Sequence, residues 1–304
     1  MNRDDVIQLA NKVNRVTVVP SYGGRITGWD TLTDTCWTPV LKKISTNTCN
    51  PLFPEKGGCF PLVPFSNRIA HGHFQFQGKT VLQPAHPVAS PHAMHGHGNT
   101  SNWTVTRRGS DFVEMSYRHK KDSWPWDYIA TQKISIDDNG LECELSVQNL
   151  ADSDMPVGLG FHPYFANPGN ATVYFDAEEC WPFGSSMIPE GACTIRDEWS
   201  TKHGYAIKGN DLTLGYSGWK QHAKIEWRSP NLSIAIKSSE NLDHLILHIP
   251  PQADYWCLEP VSHVTDTFNL ISKGIKNTGH IVLAPGGFTK ATTRFDIERL
   301  ISSK

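Results

Sequence analysis

Runs of Val, Ile, Thr, Tyr, Phe and Trp recur along most of this chain, broken by Gly, Pro, Asn, Asp or Ser at intervals of about ten residues, a rhythm that signals many antiparallel strands. Three hairpins stand out: WTVTRRGSDFVEMSYRH turning at 109–111, YIATQKISIDDNGLECELSVQNL turning at 138–140, and KIEWRSPNLSIAIKSS turning at 229–231. In the second, D-N-G lies between alternating apolar and polar positions, a strong short-range hairpin signal. No Gly- and Pro-free segment of about a dozen residues carries a helical apolar stripe, so helices should be few, with 4–13 the one short candidate. The Gly/Pro-rich stretch 51–64 reads as a loop rather than a boundary, because strand signals continue on both sides. With no linker or repeat, 1–304 reads as one domain. A sheet that large must stack in two layers or close into a barrel. The expected fold is therefore all-β, a large antiparallel β-sandwich.

Charge narrows the partners. Lys plus Arg number 28 against 30 Asp plus Glu, so no strong net field exists to hold nucleic acid or an anionic membrane. No run approaches the ~20 apolar residues of a membrane span, and the acidic first residues do not form a secretory signal. Seven cysteines without a C-x-x-C pair read as reduced thiols in a cytoplasmic protein, and a thiolate zinc site has no local support. A small, nearly neutral ligand fits this balance.

Four stretches place ionisable groups in apolar, strand-like surroundings: SNRIAHG at 66–72, PHAMHGHG at 91–98, GLGFHPYF at 158–165 and YWCLEPVSH at 255–263. His162 precedes Pro163, which favours extended backbone and cannot donate to a ladder. That places the histidine at an edge or bulge, where it is either a general acid working near neutrality or a core histidine satisfied by backbone. Glu259 follows an apolar run, where a carboxylate is costly without a partner or a function. It is a candidate base or an ion-paired structural residue. Arg68 either holds a ligand hydroxyl or pairs with a carboxylate such as Glu259. The pairs His71/His73 and His95/His97 invite a metal reading, because alternate strand residues share a face, but a third ligand at suitable spacing is missing. Sugar-hydroxyl contact is the functional reading for His95, packing the alternative. Trp124, Trp126 and Tyr128 at period two offer either stacking faces for a pyranose or core.

In order along the chain, GGRITGW at 23–29, N-R-I at 67–69, G-x-F-x-F-x-G at 72–78, M-H-G at 94–96 with Trp103, H-P-Y-F at 162–165 and C-L-E-P at 257–260 resemble the aldose 1-epimerase, or galactose mutarotase, family. The resemblance implies a β-supersandwich, no cofactor and no metal, with a sugar as the small-molecule partner. It also implies Glu259 as base, His162 as acid, and Arg68 and His95 as groups holding the ring-oxygen region and hydroxyls; Asn67, within N-R-I, and Trp126, within the aromatic run, complete the candidate sugar contacts. The chain has H-P-Y-F and M-H-G-H-G where the better-studied galactose mutarotases have H-S-Y-F and L-H-G-G. It also lacks an extra segment of the longer members, and no substrate role passes to Asp243. The resemblance is thus to a shorter, bacterial-type branch. Arg25, Lys42, Lys43 and Arg68 would together suit a phosphate or sulfonate if they met in the cleft. A glycoside hydrolase would need two carboxylates roughly 5–10 Å apart, and only Glu259 stands out. A non-catalytic carbohydrate sensor is the alternative from a different class.

Overall fold

The computed structural model describes residues 5–34, 36–45 and 55–299. Among them, a ten-stranded antiparallel sheet faces a nine-stranded one. The first runs in the order Ile7–Ala10, Asn14–Val19, Arg25–Leu32, Trp37–Leu41, Gly160–Ala166, Tyr255–Val261, His244–Ile249, Leu212–Ser217 and Glu179–Pro182. Cys59–Leu62 joins it beside Gly160–Ala166 and Arg25–Leu32. The second sheet runs from Thr104–Arg108 through Tyr128–Asp137, Gly140–Asn149 and Phe288–Arg299 to Tyr205–Ala206. The main hydrophobic core draws on both sheets, with Trp29, Leu145, Phe165, Trp256, Leu258 and Phe295 among its buried members. The single α-helix among the described residues is Thr267–Ser272.

All three expected hairpins form, pairing Phe112–His119 with Thr104–Arg108, Gly140–Asn149 with Tyr128–Asp137, and Leu232–Ser238 with His222–Trp227. In the second, Asp137 Oδ1 accepts from the N–H groups of Asn139 and Gly140, at 2.8 and 2.9 Å, which ties the turn through its aspartate as an Asx motif does.

Two expectations are corrected. The candidate helix at 4–13, whose first residue lies outside the described residues, is a strand at Ile7–Ala10 that turns back into Asn14–Val19. Ile7 and Leu9 are buried while Gln8 and Ala10 are exposed, a period of two that a helix cannot satisfy. Asn11 Oδ1 accepts from the N–H groups of Val13 and Asn14 and makes the turn. Within the expected loop 51–64, of which 51–54 lie outside the described residues, Cys59–Leu62 is a fully buried strand.

One strand shows how the fold makes a site. Every residue of Tyr255–Val261 is buried, because its two faces meet different neighbours. Trp256 and Leu258 enter the inter-sheet core, while Tyr255 and Glu259 point the other way and line a cleft. The neighbouring strand divides likewise: Phe161 and Phe165 enter the core, His162 and Tyr164 the cleft. Phe60, Leu62, Ile246 and Val261 form a second small apolar cluster, against which Tyr164 and Phe183 pack, and it floors that outer face.

Candidate active site

A cleft of about 460 Å³ opens on the face of the ten-stranded sheet that lies away from the second sheet, within the usual range of small-molecule sites. Register assembles its floor. Gly160 lies opposite Val261 and Tyr164 opposite Cys257, which brings position 162 opposite 259. Ile246 pairs with Glu259, His248 with Cys257, and Thr213 with His248.

His162 therefore sits in a central strand, between Cys59–Leu62 and Tyr255–Val261, and not at the edge or bulge that Pro163 implied. The proline is tolerated because the ladder is broken there: residue pairing resumes only at Tyr164–Cys257 after Gly160–Val261. The break falls on His162-Pro163 and Glu259-Pro260, whose prolines have no N–H to donate. In the break, His162 Nε2 stands 3.3 Å from Glu259 Oε1. The two side chains touch, with no gap between them.

Three rings fix the imidazole. Phe60 and Tyr164 both pack against it with centroids 4.6 Å away and lie 6.2 Å from each other, while His95 meets it edge-on at 5.1 Å. Glu259 is less constrained, since its Oε2 has no hydrogen-bond partner among the described residues. Burial pushes the Glu259 carboxyl up to about 8, although the Arg68 guanidinium pulls it down. Burial, with the charges of His95, His248 and Arg25 adding to it, pushes His162 well below its usual value. Both groups are thus driven toward their neutral forms.

The remaining polar wall comes from two loops. The Asn67 N–H donates to His95 Nδ1 at 3.1 Å and the His95 N–H to Asn67 O at 2.8 Å. Burial lowers His95 to about 3, so its one ring proton rests on Nε2, the nitrogen it can offer to a ligand. Gly96 must be glycine: its φ is +65°, and a Cβ there would lie 2.4 Å from Val63 O. Arg68 Nη1 donates to Asn67 Oδ1 at 3.2 Å. The segment after the glutamate strand holds this loop in place: the Ser66 N–H donates to His263 Nε2 at 3.1 Å and the Ala70 N–H to Asp266 Oδ1 at 2.9 Å.

Glu259, His162, Arg68, His95 and Asn67 all line the cleft. Trp126 does not. It is buried against Trp124 and Phe76, and the period-two aromatic run is core. His97 also leaves the cleft: His95 and Gly96 both have positive φ, which breaks strand alternation, and His97 stacks on His119 instead. Arg25, Lys42 and Lys43 do not join Arg68 in the lining of the cleft. Arg25 is buried under Phe60 and Tyr22, Lys42 pairs with Asp254 and Lys43 with Asp30, whereas Lys56 does reach the lining. Sequence reasoning missed Phe60 and Tyr164, the clamp on His162, and the pair Thr213–His248, in which Thr213 Oγ1 lies 2.8 Å from His248 Nδ1. The position of Tyr164 two residues after His162 on a strand was the available signal.

Among the described residues, two clusters bring metal-ligating atoms within 4.8 Å of one another, His97/His119/Asp122 and His162/Cys257/Glu259. In the first, the imidazoles are parallel to within 9°, so their nitrogen lone pairs do not converge. In the second, burial holds the Cys257 thiol well above its usual value, which disfavours the thiolate a metal needs.

A family model for aldose 1-epimerase matches residues 5–296. The Escherichia coli K12 protein YphB is 26% identical over 250 residues, covering 80% of this chain and 84% of its own. A solved Escherichia coli K12 structure superposes with a TM-score of 0.85 at 24% identity, covering 97% of this chain and 99% of that one. A galactose mutarotase-like protein from Clostridium acetobutylicum gives 0.84 at 20% identity, covering 97% and 95%.

Proposed function

The chain belongs to the aldose 1-epimerase family, and from that membership and the cleft we propose that it is a mutarotase, interconverting the α and β anomers of a hexose or modified hexose. The observation that carries the reading is the buried Glu259–His162 contact on the cleft floor.

Ring opening needs an empty base and a loaded acid. Near neutrality this pair holds one exchangeable proton, as carboxylic acid beside imidazole or as carboxylate beside imidazolium, and the second form is the reactive one. Glu259 removes the proton of the anomeric hydroxyl while His162 delivers one to the ring oxygen. The bond between the anomeric carbon and the ring oxygen breaks, and the open-chain aldehyde turns about its bond to the next carbon. In closure the ring hydroxyl, returning its proton to His162, attacks the other face, and Glu259 protonates the new anomeric oxygen. The pair ends with the same single proton. Positioned proton transfer typically contributes roughly 10²–10⁴-fold per group.

A sugar entering between the two groups makes a hydrogen bond of ~2.8 Å to each and must part them by roughly 2 Å beyond their 3.3 Å contact. His162 is clamped, so Glu259, with its unpartnered oxygen, is the group that swings. The Nε2 of His95 donates to a sugar oxygen, and Arg68 meets hydroxyls and holds Glu259 in its charged form at the moment of proton removal. Asn67 positions both, through its backbone to His95 and its side chain to Arg68.

The test is polarimetry of freshly dissolved α-glucose, α-galactose and a panel of phosphorylated and sulfonated hexoses. The protein should accelerate the drift in rotation for at least one of them, and Glu259→Gln should bind that sugar without accelerating it. Full activity in Glu259→Gln would remove the glutamate from its role, and no acceleration across the panel by the unaltered protein would leave a sugar-binding sensor.

A further inference from the structure

Cys180 and Cys193 face each other at the base of a narrow flap. The Cys180 N–H donates to Cys193 O at 2.9 Å and the Cys193 N–H to Cys180 O at 2.8 Å. They form a hydrogen-bonded antiparallel pair, a geometry that sets Cα atoms about 5.5 Å apart. Both are reduced, and their sulfurs lie 3.3 Å from each other. Disulfides take Cα separations of about 4.4–6.8 Å and S–S lengths of about 2.05 Å. Closure therefore needs the sulfurs to approach by roughly 1.2 Å, which side-chain rotation supplies with the backbone pair in place.

Between the two cysteines the chain folds over itself, with a second bridge at Phe183–Pro189 and a tip closed by Gly184 N–H to Ile188 O and Met187 N–H to Gly184 O. The base is anchored: Trp181 packs with Val264 and Leu270, and Phe183 against the cluster of Phe60 and Ile246. The tip reaches the cleft, where Met187 forms part of the wall, and Ser185 and Ser186 line an adjoining hollow that shares Arg68 with it.

We propose that Cys180 and Cys193 are a redox-closable pair, oxidised by a low-molecular-weight disulfide of the glutathione class, which locks this flap at the cleft wall. Cys193 is half-buried and Cys180 fully buried, so Cys193 meets the oxidant first. Its thiolate attacks one sulfur of the small disulfide, and one small thiol leaves with the proton Cys193 gave up. Burial and the neighbouring sulfur push Cys180 up to about 12, which keeps it protonated until the second step. Cys180 then yields its proton and attacks Cys193 Sγ, expelling the second small thiol. Two protein thiols lose two electrons, and one small disulfide becomes two thiols. This chemistry does not depend on what the cleft binds.

The experiment compares the full-length protein, fully reduced and then incubated with oxidised glutathione, by thiol titration in denaturant, peptide mapping and hydrogen exchange. The titre should fall by two from the seven cysteines of the sequence, with Cys180 linked to Cys193. Amides at 184–188 should exchange roughly tenfold more slowly. Cys180→Ser should stop at a glutathione adduct on Cys193, and Cys193→Ser should lose both effects. An unchanged titre, a link between other cysteines, or unaltered exchange at the flap overturns the proposal. If the cleft turns over a sugar, oxidation should also lower kcat/KM, but the thiol and exchange readouts stand without that activity.

Discussion

Replacing Glu259 by glutamine removes a titrating carboxyl from a buried site, and the sign of the effect on stability follows from its pKa. Burial raises that pKa from 4.5 to about 8 against the pull of Arg68. An unfolded chain would release the proton near 4.5, whereas the folded protein keeps it to about 8. The stability gained by holding the proton is therefore complete below about 4.5 and is lost as pH rises through about 8. The interval, 8 − 4.5, is about 3.5 units, and at about 1.4 kcal/mol per unit the buried carboxylate costs up to about 5 kcal/mol on the alkaline side. Relaxation of the site and water entry around the buried carboxylate bring the measured value below that ceiling, to about 2 kcal/mol or more. Urea unfolding of both proteins at pH about 4.5 and about 8 reads the difference directly. Glu259→Gln should gain on the parent by about 2–4 kcal/mol between the two conditions. Comparing the differences cancels groups that titrate alike in both proteins. An equal gap at both pH values, or a parent that gains on the variant toward alkaline pH, would refute the reasoning.

Other outcomes follow from the same geometry. In the unaltered protein, kcat/KM should fall as pH rises through about 8, where the pair loses its one proton; a flat profile well beyond that value would count against the inventory. Tyr164→Leu removes one of the rings packed on His162 and should lower kcat roughly 10–100-fold with a smaller change in KM, an assignment that fails if KM alone moves. Trp126→Phe should lower stability by roughly 1–3 kcal/mol and leave KM for the sugar unchanged, since Trp126 packs on Phe76 and Trp124; a large rise in KM would return it to the cleft.

Legibility in the sequence followed the range of the forces involved. Alternation and turn chemistry are local, so the hairpins at 112, 140 and 232 were readable. The same alternation in Ile7 and Leu9 was overlooked because 4–13 is free of Gly and Pro, and absence of breakers is weaker information than period. The site residues were readable as chemical types, but their partners were not. Nothing local says that the turn at His95 and Gly96 sends His97 to the far side of the loop, or that Arg25 lies beneath Phe60 rather than in the cleft. Those outcomes depend on positive φ values and on packing across strands far apart in sequence.

The position of His162 ties these levels together. A proline beside a histidine argues locally for an edge, and a second proline beside Glu259 argues the same for its strand, yet both strands are central. Two X-Pro steps set opposite each other need no donors from one another, so the conflict that each creates alone is resolved when they coincide. The ladder opens where the acid and the base must have room to part, while Tyr164–Cys257 and Gly160–Val261 hold the strands on either side. Continuous backbone bonding at that point would leave less freedom for the carboxyl to swing. Rigidity at the clamped imidazole and looseness at the glutamate thus come from the same pair of strands.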